Sequence, residues 1–578
     1  MKKSQIARLR KRDLKILIMD YFREHDTQAF NYKQVSAALG IVRQISKLMV
    51  DDMLHELLES HFLVEEKEGK FRIAVRKKPE RPIMGDDILG EFNLSEHYPQ
   101  DAEKAALAFK EEIGADEYAY REDFRFVPTF TIDPADAKDY DDALSVRPLE
   151  NGHYEIGVHI ADVTFYVKPG SVIDREAERR ATSVYLVDRV IPMLPERLCN
   201  QVCSLRSGED KRCFACIFEM DDKARVLNSR IVRTVIRSDA RMDYDFVQTV
   251  IDGDETAVKH PMAPQILTLH RLAQQLREER FRNGAINFES TEVRFQLDDK
   301  GKPVGVYFRE ATPSHQLIEE FMLLANRNVA EFVGKRRGLP KSFVYRVHDQ
   351  PDREKLANVA KFIKRFGHSL VTEGSKKEIA ASINHLLGAV HGKREANIVS
   401  TITVRAMAKA VYSTDNIGHY GLAFNYYTHF TSPIRRYPDM MVHRLLEHYL
   451  YNGKSLNKEL LEKRCEHCSE MEQLATQAER ASVKCKQIEF MSERMGVPFK
   501  GVISGVTDFG LFVELTDNKC EGLILMRDLK DDHYDYVERE YCLKGRYHHK
   551  VYRLGDELEV MVARVNMERR QLDFVLAD

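Results

Sequence analysis

The sequence predicts a multidomain α/β protein in three parts: an N-terminal winged helix, a central α/β body and a C-terminal OB-fold β-barrel. Three observations predict this fold class. The N-terminal segment has helical patterns followed by a short strand pair. The central segment mixes predicted strands and helices without a break. The C-terminal segment is a run of short predicted strands. A chain of 578 residues is long enough for several domains of roughly 150 residues each.

The first module, a winged helix-turn-helix, is predicted over residues 13–76. Asn31 can cap its second helix, because Gln34 follows three residues later and completes a capping box. The predicted elements are helices at Leu14–Phe22, Asn31–Gly40 and Arg43–Glu59, and strands at Phe62–Val64 and Phe71–Ala74. Such modules bind nucleic acid or contact proteins, and both alternatives stay open.

The rest of the chain divides into three further segments. Residues 77–120 are predicted to be a charged linker with a short helix near Ala102–Glu112, and residues 121–493 form the α/β body. The body ends in a long helix with one apolar face, because its apolar residues recur every three or four positions. Residues 497–578 carry five short strands, which are typical of an OB-type barrel.

Composition excludes some classes of protein. No apolar run approaches the roughly 20 residues that a membrane helix needs, and no signal peptide is visible, so we expect a cytoplasmic protein without a membrane segment. A net charge of −3 decides little, because a basic groove and an acidic site cancel in the sum. The nine cysteines include two CxxC pairs, Cys213–Cys216 and Cys465–Cys468. Their apolar neighbours indicate core packing rather than zinc binding.

The most informative segment is an acidic cluster. Five aspartates lie within ten residues and are opposed only by Lys138: Asp133, Asp136, Asp139, Asp141 and Asp142. Compact negative charges repel one another, and a hard divalent cation such as Mg²⁺ is the commonest reason to keep them. The alternative is a solvated acidic loop. The metal site is favoured because strands are predicted on both sides of the cluster, at 126–132 and 143–146. After the Asn151-Gly152 turn, residues 154–160 alternate as a half-buried strand does, so a sheet is expected to carry the cluster.

Two further segments carry residues suited to a phosphate and to a buried ion pair. Arg435 and Arg436 follow Ser-Pro-Ile in a predicted rigid turn, and arginine can bind two phosphate oxygens at once. The alternative is a structural ion pair with Asp439. Glu319 and Glu320 interrupt a mostly apolar helix, where a buried carboxylate needs a partner.

Aromatic residues supply candidates for stacking on bases. Tyr185 and Phe288 stand among small or polar neighbours, although core packing is the alternative for each. In the predicted barrel, an aromatic and basic set of the kind that binds single strands comprises Phe509, Phe512, Lys500 and Arg553.

Long motifs in the central body closely resemble the ribonuclease II/ribonuclease R family of 3′-to-5′ exoribonucleases. They are TIDPADAKDYDDAL, HIADVTFYV, IPMLPERLC, HQLIEEFMLLAN, FVYRVHDQPD and YYTHFTSPIRRYPDMMVHR. The body resembles the family's RNB catalytic domain, the barrel its S-one-type RNA-binding domain, and the start the winged helix of ribonuclease R. The resemblance therefore implies hydrolysis of RNA to nucleoside 5′-monophosphates by a two-Mg²⁺ mechanism.

The resemblance also implies roles for single residues. The four active-site aspartates correspond to Asp133, Asp139, Asp141 and Asp142, with Asp141 the most critical for cleavage and Asp136 peripheral. Arg435 corresponds to the arginine at the scissile phosphate. By resemblance, Tyr185 and Phe288 clamp the 3′-terminal bases, and either Glu319 or Glu320 lies near the path of the RNA. The predicted RNA-binding set is Tyr185, Phe288, Glu320, Arg436, Phe509, Phe512 and Lys500, with the choice between Glu319 and Glu320 left open.

One feature departs from the family pattern. Two cold-shock-type barrels normally precede the catalytic body, and the interval between Ala74 and Thr131 is too short for them. Their absence leaves the catalytic chemistry in place and bears on substrate selection. We expect a monomer that acts on single-stranded RNA or on RNA with a 3′ overhang. The alternatives are an enzyme specialised for short RNAs and a non-catalytic RNA-binding protein of the same fold.

Overall fold

The computed structural model describes residues 18, 21–22, 29–39, 41, 44–59, 63–67, 69–73, 84–288, 292–336, 340–393, 395–537, 540 and 542–577. The chain divides into two compact units, Met1–Ile83 and Met84–Asp578. Within the described part, no helix is long and apolar enough to cross a bilayer.

The first unit contains two complete helices and a strand pair. Its elements are α1 (Tyr32–Ala38), α2 (Gln44–Glu59), β1 (Leu63–Lys67) and β2 (Lys70–Ile73). The predicted capping box is confirmed, because Asn31 and Gln34 each accept the other's backbone N–H at 3.0 Å. β1 and β2 pair in antiparallel fashion. The predicted first helix, Leu14–Phe22, lies largely outside the described residues. Two of its described residues, Ile18 and Phe22, are fully buried in the core of this unit.

The second unit contains twelve described helices. They are α3 (Met84–Glu91), α4 (Gln100–Leu107), α5 (Val163–Tyr166), α6 (Val172–Arg180), α7 (Tyr244–Ile251), α8 (Ala263–Arg282), α9 (Pro313–Gly334), α10 (Arg353–Ile363), α11 (Lys376–Val390), α12 (Ala396–Ala406), α13 (Tyr437–Leu450) and α14 (Lys458–Ser492). Between residues 84 and 121, the structure shows only α3, α4 and a short 3₁₀ turn, and no β-barrel.

The strands of the second unit form a central sheet, a barrel and several small sheets. They are β3 (Glu122–Asp123), β4 (Thr129–Asp133), β5 (Asp142–Pro148), β6 (Tyr154–Ala161), β7 (Val184–Tyr185), β8 (Val190–Ile191), β9 (Asp210–Met220), β10 (Val226–Arg237), β11 (Ala240–Asp243), β12 (Glu292–Leu297), β13 (Pro303–Arg309), β14 (Tyr345–Val347), β15 (Val411–Ser413), β16 (Pro498–Thr507), β17 (Gly510–Leu515), β18 (Glu521–Leu525), β19 (Tyr534–Val537), β20 (Cys542–Gly545), β21 (Val551–Arg553), β22 (Glu557–Asn566) and β23 (Gln571–Leu576).

A seven-stranded mixed sheet forms the centre of the body, in the order β11-β4-β5-β6-β9-β10-β3. β4 and β5 pair in antiparallel fashion, so the end of one and the start of the other lie at the same edge of the sheet. β11 runs parallel to β4 and brings Asp243 into register with Asp133. The acidic cluster is therefore presented by the sheet, as the flanking strands predicted.

Two details of the predicted strands are wrong. Phe126 is 86% exposed in the turn before β4, whereas a buried strand was predicted there. β6 is buried on both faces rather than half-buried, and its His159 is 0% exposed. Both nitrogens of that imidazole have hydroxyl partners, Ser145 and Thr234, which is why a polar residue is tolerated between two layers.

The helix α14 connects the body with the barrel. The barrel is closed in the order β16-β17-β18-β23-β22, and a three-stranded sheet of β19, β20 and β21 is inserted before β22. All nine cysteines are buried free thiols, in agreement with their predicted core packing.

Candidate active site

The four predicted aspartates lie together at the β4–β5 edge. Asp133 ends β4, Asp142 begins β5, and Asp139 and Asp141 lie on the loop between them. Burial raises the pKa of each of the four carboxyl groups, and mutual repulsion between Asp133 and Asp142 raises the pKa of Asp133 further. Asp136, in contrast, is exposed. The sheet thus holds four carboxylates in a place where they are costly without a cation.

Two carboxylate oxygens of this cluster, Asp133 Oδ2 and Asp141 Oδ2, are buried and have no hydrogen-bond partner among the described residues. The other oxygen of Asp141 accepts the backbone N–H of Ile434 at 2.9 Å. Arg435 Nε lies 3.5 Å from Asp141 Oδ2, but burial still raises the pKa of all four carboxyl groups, so they are unfavourable without further positive charge. The residues present therefore fit a hard divalent metal.

The described side chains do not form a closed metal cage. No group of three or more described His, Cys, Asp and Glu residues is arranged to hold a metal ion. Mg²⁺ is usually coordinated by one or two carboxylates, with water and substrate phosphates as its other ligands, so such a group is not required.

Arg435 points at this cluster. Its Nε lies 3.5 Å from Asp141 Oδ2, and its side chain keeps 42% of its surface exposed. Arg435 Nη2 donates to Ser432 Oγ at 3.0 Å, and the Arg435 carbonyl accepts the N–H of Ser183 at 3.0 Å. The guanidinium is therefore held beside the acidic cluster with free donors for an incoming anion.

The neighbouring arginine has a different partner. Arg436 donates through Nε and Nη2 to Asp439 Oδ1, at 3.0 and 2.7 Å. Asp439 is 0% exposed, and the same oxygen accepts the N–H of Ser432 at 2.7 Å. The structural ion pair considered from the sequence thus applies to Arg436, whose predicted contact with RNA stays a prediction.

The two aromatic candidates lie on separate elements. Tyr185 lies on β7, is 40% exposed, and has its backbone N–H bound to Glu479 Oε1 at 3.2 Å. Ser183, two residues before Tyr185, donates its N–H to the Arg435 carbonyl at 3.0 Å, which brings Tyr185 near the acidic cluster. Partial burial and the charges of Asp139 and Asp141 raise the pKa of the Tyr185 phenol, and Arg435 lowers it. Phe288 is 36% exposed and follows the end of α8.

The structure distinguishes the two glutamates of α9. Glu320 is 3% exposed and accepts Arg280 Nε at 3.2 Å, whereas the side chain of Glu319 is 47% exposed and lies 3.3 Å from Arg280. Burial raises the pKa of Glu320 and Arg280 lowers it. Glu320 therefore fixes α9 to α8 through an ion pair, and its contact with RNA stays a prediction.

Sequence analysis missed several residues beside the cluster. Tyr244 directly follows Asp243, the register partner of Asp133, and its ring stacks on His315 with a centroid distance of 3.9 Å. Burial raises the pKa of the Tyr244 phenol, and the charges of Asp142 and Asp133 raise it further. Glu479, the partner of Tyr185, was missed because it interrupts no pattern on α14. Only the parallel pairing of β11 with β4 identifies Tyr244, and no local motif signals it.

In the barrel, Phe509 and Phe512 form an edge-to-face pair with ring centroids 6.0 Å apart. Phe509 is 50% exposed, and Lys500 is exposed on β16. Arg553 lies outside the barrel strands, on β21 of the inserted sheet. The structure therefore brings the two aromatic residues together and separates Arg553 from them.

Comparisons with known proteins agree with this arrangement. Residues 121–452 match the RNB domain and residues 495–576 match the S1 RNA binding domain. Ribonuclease R 1 of Lactococcus lactis is 36% identical over 571 residues, which cover 94% of this chain and 69% of that protein. Ribonuclease R of Thermotoga maritima is 41% identical over 490 residues, which cover 83% and 68%. A solved structure, Mycoplasma genitalium RNase R in complex with ribose methylated single-stranded RNA, superposes with a TM-score of 0.78 at 28% identity, covering 85% of this chain and 77% of the other.

The RNB match alone spans more than half of the chain and contains the acidic cluster, Tyr185, Phe288 and Arg435. The matches to ribonuclease R proteins extend over most of the chain. RNB-domain proteins of this kind are nucleases that generally depend on a metal ion. The chain therefore belongs to the ribonuclease R family of RNB-domain enzymes and is a 3′-to-5′ exoribonuclease that acts on RNA.

Proposed function

We propose that this exoribonuclease uses two Mg²⁺ ions held by Asp133, Asp139, Asp141 and Asp142, together with the substrate phosphate. The observation that carries the proposal is the pair of buried, unsatisfied oxygens, Asp133 Oδ2 and Asp141 Oδ2, with Arg435 beside them. Bound Mg²⁺ would supply activation of a water molecule and stabilisation of the leaving 3′ oxygen.

Arg435 stabilises the charge that grows on the scissile phosphate. Its Nη2 contact with Ser432 Oγ orients the guanidinium before RNA arrives, and the bond from Ser183 N–H to its carbonyl holds the backbone, so little reorganisation is needed during the reaction. The hydrogen bond from Ile434 to Asp141 ties the same loop to the acidic cluster. The chain thus couples the group that contacts the phosphate to the group that holds the metal.

Tyr185 and Phe288 stack on the 3′-terminal bases and hold the strand without reading its sequence. Contacts to the ribose 2′ hydroxyls distinguish RNA from DNA. The products are nucleoside 5′-monophosphates, and the substrates are single-stranded RNA and RNA with a 3′ overhang. The enzyme acts as a monomer in the cytoplasm, which is a part of the proposal supported by the resemblance alone.

Specialisation for short RNAs is a second candidate. It is favoured by the described residues between 84 and 121, which form helices where the family normally has a barrel before the catalytic body. A series of RNA lengths separates the two, because a general decay enzyme keeps its efficiency on long strands and a specialised one loses it. A non-catalytic protein has no support here, since all four aspartates and Arg435 lie together.

The test is cleavage of a 5′-labelled single-stranded RNA with Mg²⁺ or with EDTA, by the wild-type chain and by Asp141→Asn. A ladder that shortens stepwise with Mg²⁺ alone, and is absent for the variant, is the expected result. Asp136→Asn, at the exposed aspartate of the same segment, is the matched control and is expected to cleave as wild type does. Equal cleavage in EDTA would overturn the metal assignment, and internal cleavage without a ladder would overturn the exonucleolytic one.

A further inference from the structure

Residues 285–288 are held by several hydrogen bonds, of which one amide side chain makes two. Arg277 Nη2 also donates to Asn287 Oδ1 at 3.3 Å. Asn384, on α11, donates through Nδ2 to the carbonyl of Ala285 at 2.7 Å and accepts the N–H of Asn287 through Oδ1 at 2.9 Å. Because one atom donates and the other accepts, the amide orientation is fixed by its partners. The Asn384 side chain therefore pairs with this segment as a neighbouring strand would.

Two further backbone N–H groups of the segment have partners outside it. Ala285 N–H donates to the carbonyl of Arg280 at 3.2 Å, and Ile286 N–H donates to the carbonyl of Gly421 at 2.9 Å. Gly284, just before the segment, has a φ of +101°, a conformation that favours glycine. The segment thus leaves α8 by a sharp turn and depends on contacts from outside it for its course.

The base of this contact is rigid. Ile383 and Leu386, on either side of Asn384, are 0% and 1% exposed and belong to a hydrophobic core cluster. Asn384 itself is half-buried at the edge of that core, and both of its amide atoms bond the segment. An effect of Asn384 on substrate is therefore expected to pass through the segment.

We infer that Asn384 is a positioning residue, which sets the direction of Phe288 by bridging Ala285 and Asn287. The inference rests on the proposed function in one respect, the stacking of Phe288 on an RNA base. Loss of the bridge releases the Ala285 carbonyl and the Asn287 N–H, while the bonds from Ile286 to Gly421 and from Arg277 to Asn287 remain, so the ring of Phe288 spends less time in the stacking position. Stacking on one base is worth enough that its partial loss raises KM by about fivefold. The turnover number kcat is expected to change less, because the hydrogen bonds of Asn384 go to Ala285 and Asn287 and not to the acidic cluster or Arg435.

The experiment is a double-mutant cycle with Phe288→Ala, Asn384→Ala and the combination, measured as KM and kcat on a single-stranded RNA and as the length of the end product. His385→Ala, an exposed neighbour on α11, is the matched control. We expect Asn384→Ala to raise KM about fivefold in the wild-type background and less than about twofold when Phe288 is already alanine, because residues that act through one another are not additive.

Equal effects of Asn384→Ala in both backgrounds, or none in either, would overturn the inference. The Phe288→Ala variant alone tests the proposed stacking. An unchanged KM in this variant would show that Phe288 does not stack on the substrate, independently of the role of Asn384. Melting temperatures are measured for every variant. If Asn384→Ala does not fold, Asn384→Asp takes its place in the cycle, because it keeps the acceptor for Asn287 and loses only the donor to Ala285. The same non-additivity is then required.

Discussion

Arg435 Nε lies 3.5 Å from Asp141 Oδ2, while the preceding residue, Ile434, donates its backbone N–H to Asp141 Oδ1. One oxygen of the buried Asp141 carboxylate is thus fixed by the loop that carries Ile434 and Arg435 (the arginine loop), and the other has no hydrogen-bond partner among the described residues. This arrangement keeps one lone-pair-bearing oxygen available for a metal ion. It also holds Arg435, the proposed phosphate contact, beside the proposed metal site.

Replacing Arg435 is expected to affect chemistry and leave stability nearly unchanged. Because the side chain is 42% exposed and faces the acidic cluster, Arg435→Ala removes transition-state stabilisation and lowers kcat by about 10²- to 10³-fold. Single-turnover cleavage measures the effect, and a urea titration checks stability. A kcat within about threefold of wild type would contradict the assigned role.

Replacing Arg436 is expected to do the opposite. Its partner Asp439 is fully buried, so Arg436→Ala leaves an uncompensated carboxylate and lowers the free energy of unfolding by about 3–5 kcal/mol. Urea denaturation of Arg436→Ala beside Arg435→Ala gives a matched comparison at adjacent positions. If Arg436→Ala unfolded at the wild-type midpoint and instead weakened RNA binding, Arg436 would be a substrate contact.

The difference between these two arginines shows where sequence reasoning ends. The SPIRR motif indicates an arginine aimed at a phosphate, and the acid three residues after Arg436 indicates an ion pair. Which arginine takes which role depends on the turn before α13 and on the backbone contact between Arg435 and Ser183. That contact joins distant parts of the chain, so local spacing does not reveal it.

Long-range pairing also explains what was found and what was missed at the acidic cluster. Asp133 and Asp142 were identified because a hairpin brings neighbours in sequence together at one edge of the sheet. Tyr244 was missed because it reaches the same edge through the parallel pairing of β11 with β4. In β6, alternation of polar and apolar residues suggested a half-buried strand. The hydroxyls around His159 instead allow a polar side chain to be buried.

Acid is expected to destabilise the core behind the arginine loop through His443. Burial lowers the pKa of His443 to about 4, from an ordinary value near 6.5. Between these values the unfolded chain binds more protons than the folded one, so the free energy of unfolding falls as the pH falls from about 6.5 towards 4.

For His443 alone, the loss between pH 7.5 and pH 5 is about 2 kcal/mol. Urea titrations of wild type and of His443→Phe at both pH values measure it. The variant lacks the titrating group and is expected to lose about 2 kcal/mol less than wild type over that interval. An equal loss in both proteins would show that other groups control the acid sensitivity.

In the barrel, the aromatic pair and the lysine are expected to act through different forces. Phe509→Ala or Phe512→Ala should weaken binding of single-stranded RNA by about 1–3 kcal/mol with an unchanged salt dependence, because stacking carries no charge. Lys500→Ala should reduce the slope of log K against log salt by about 0.7, the value for one phosphate contact on a single strand.

Fluorescence anisotropy with a labelled RNA, on the non-cleaving Asp141→Asn background and over a range of salt, measures both quantities. Lys530→Ala, on the loop before the inserted sheet, gives a lysine control on the same module. A change of salt slope for the phenylalanine variants, or none for Lys500→Ala, would refute this division of roles.

The buried oxygens Asp133 Oδ2 and Asp141 Oδ2 are expected to bind metal ions opposite Arg435 once RNA is present. Anomalous diffraction from crystals grown with Mn²⁺ and an uncleavable RNA tests this most directly. Two anomalous peaks are expected, with metal–oxygen distances of roughly 2.0–2.3 Å to the carboxylates and to the scissile phosphate. Ordered RNA beside Arg435 with no anomalous peak at either aspartate would contradict it.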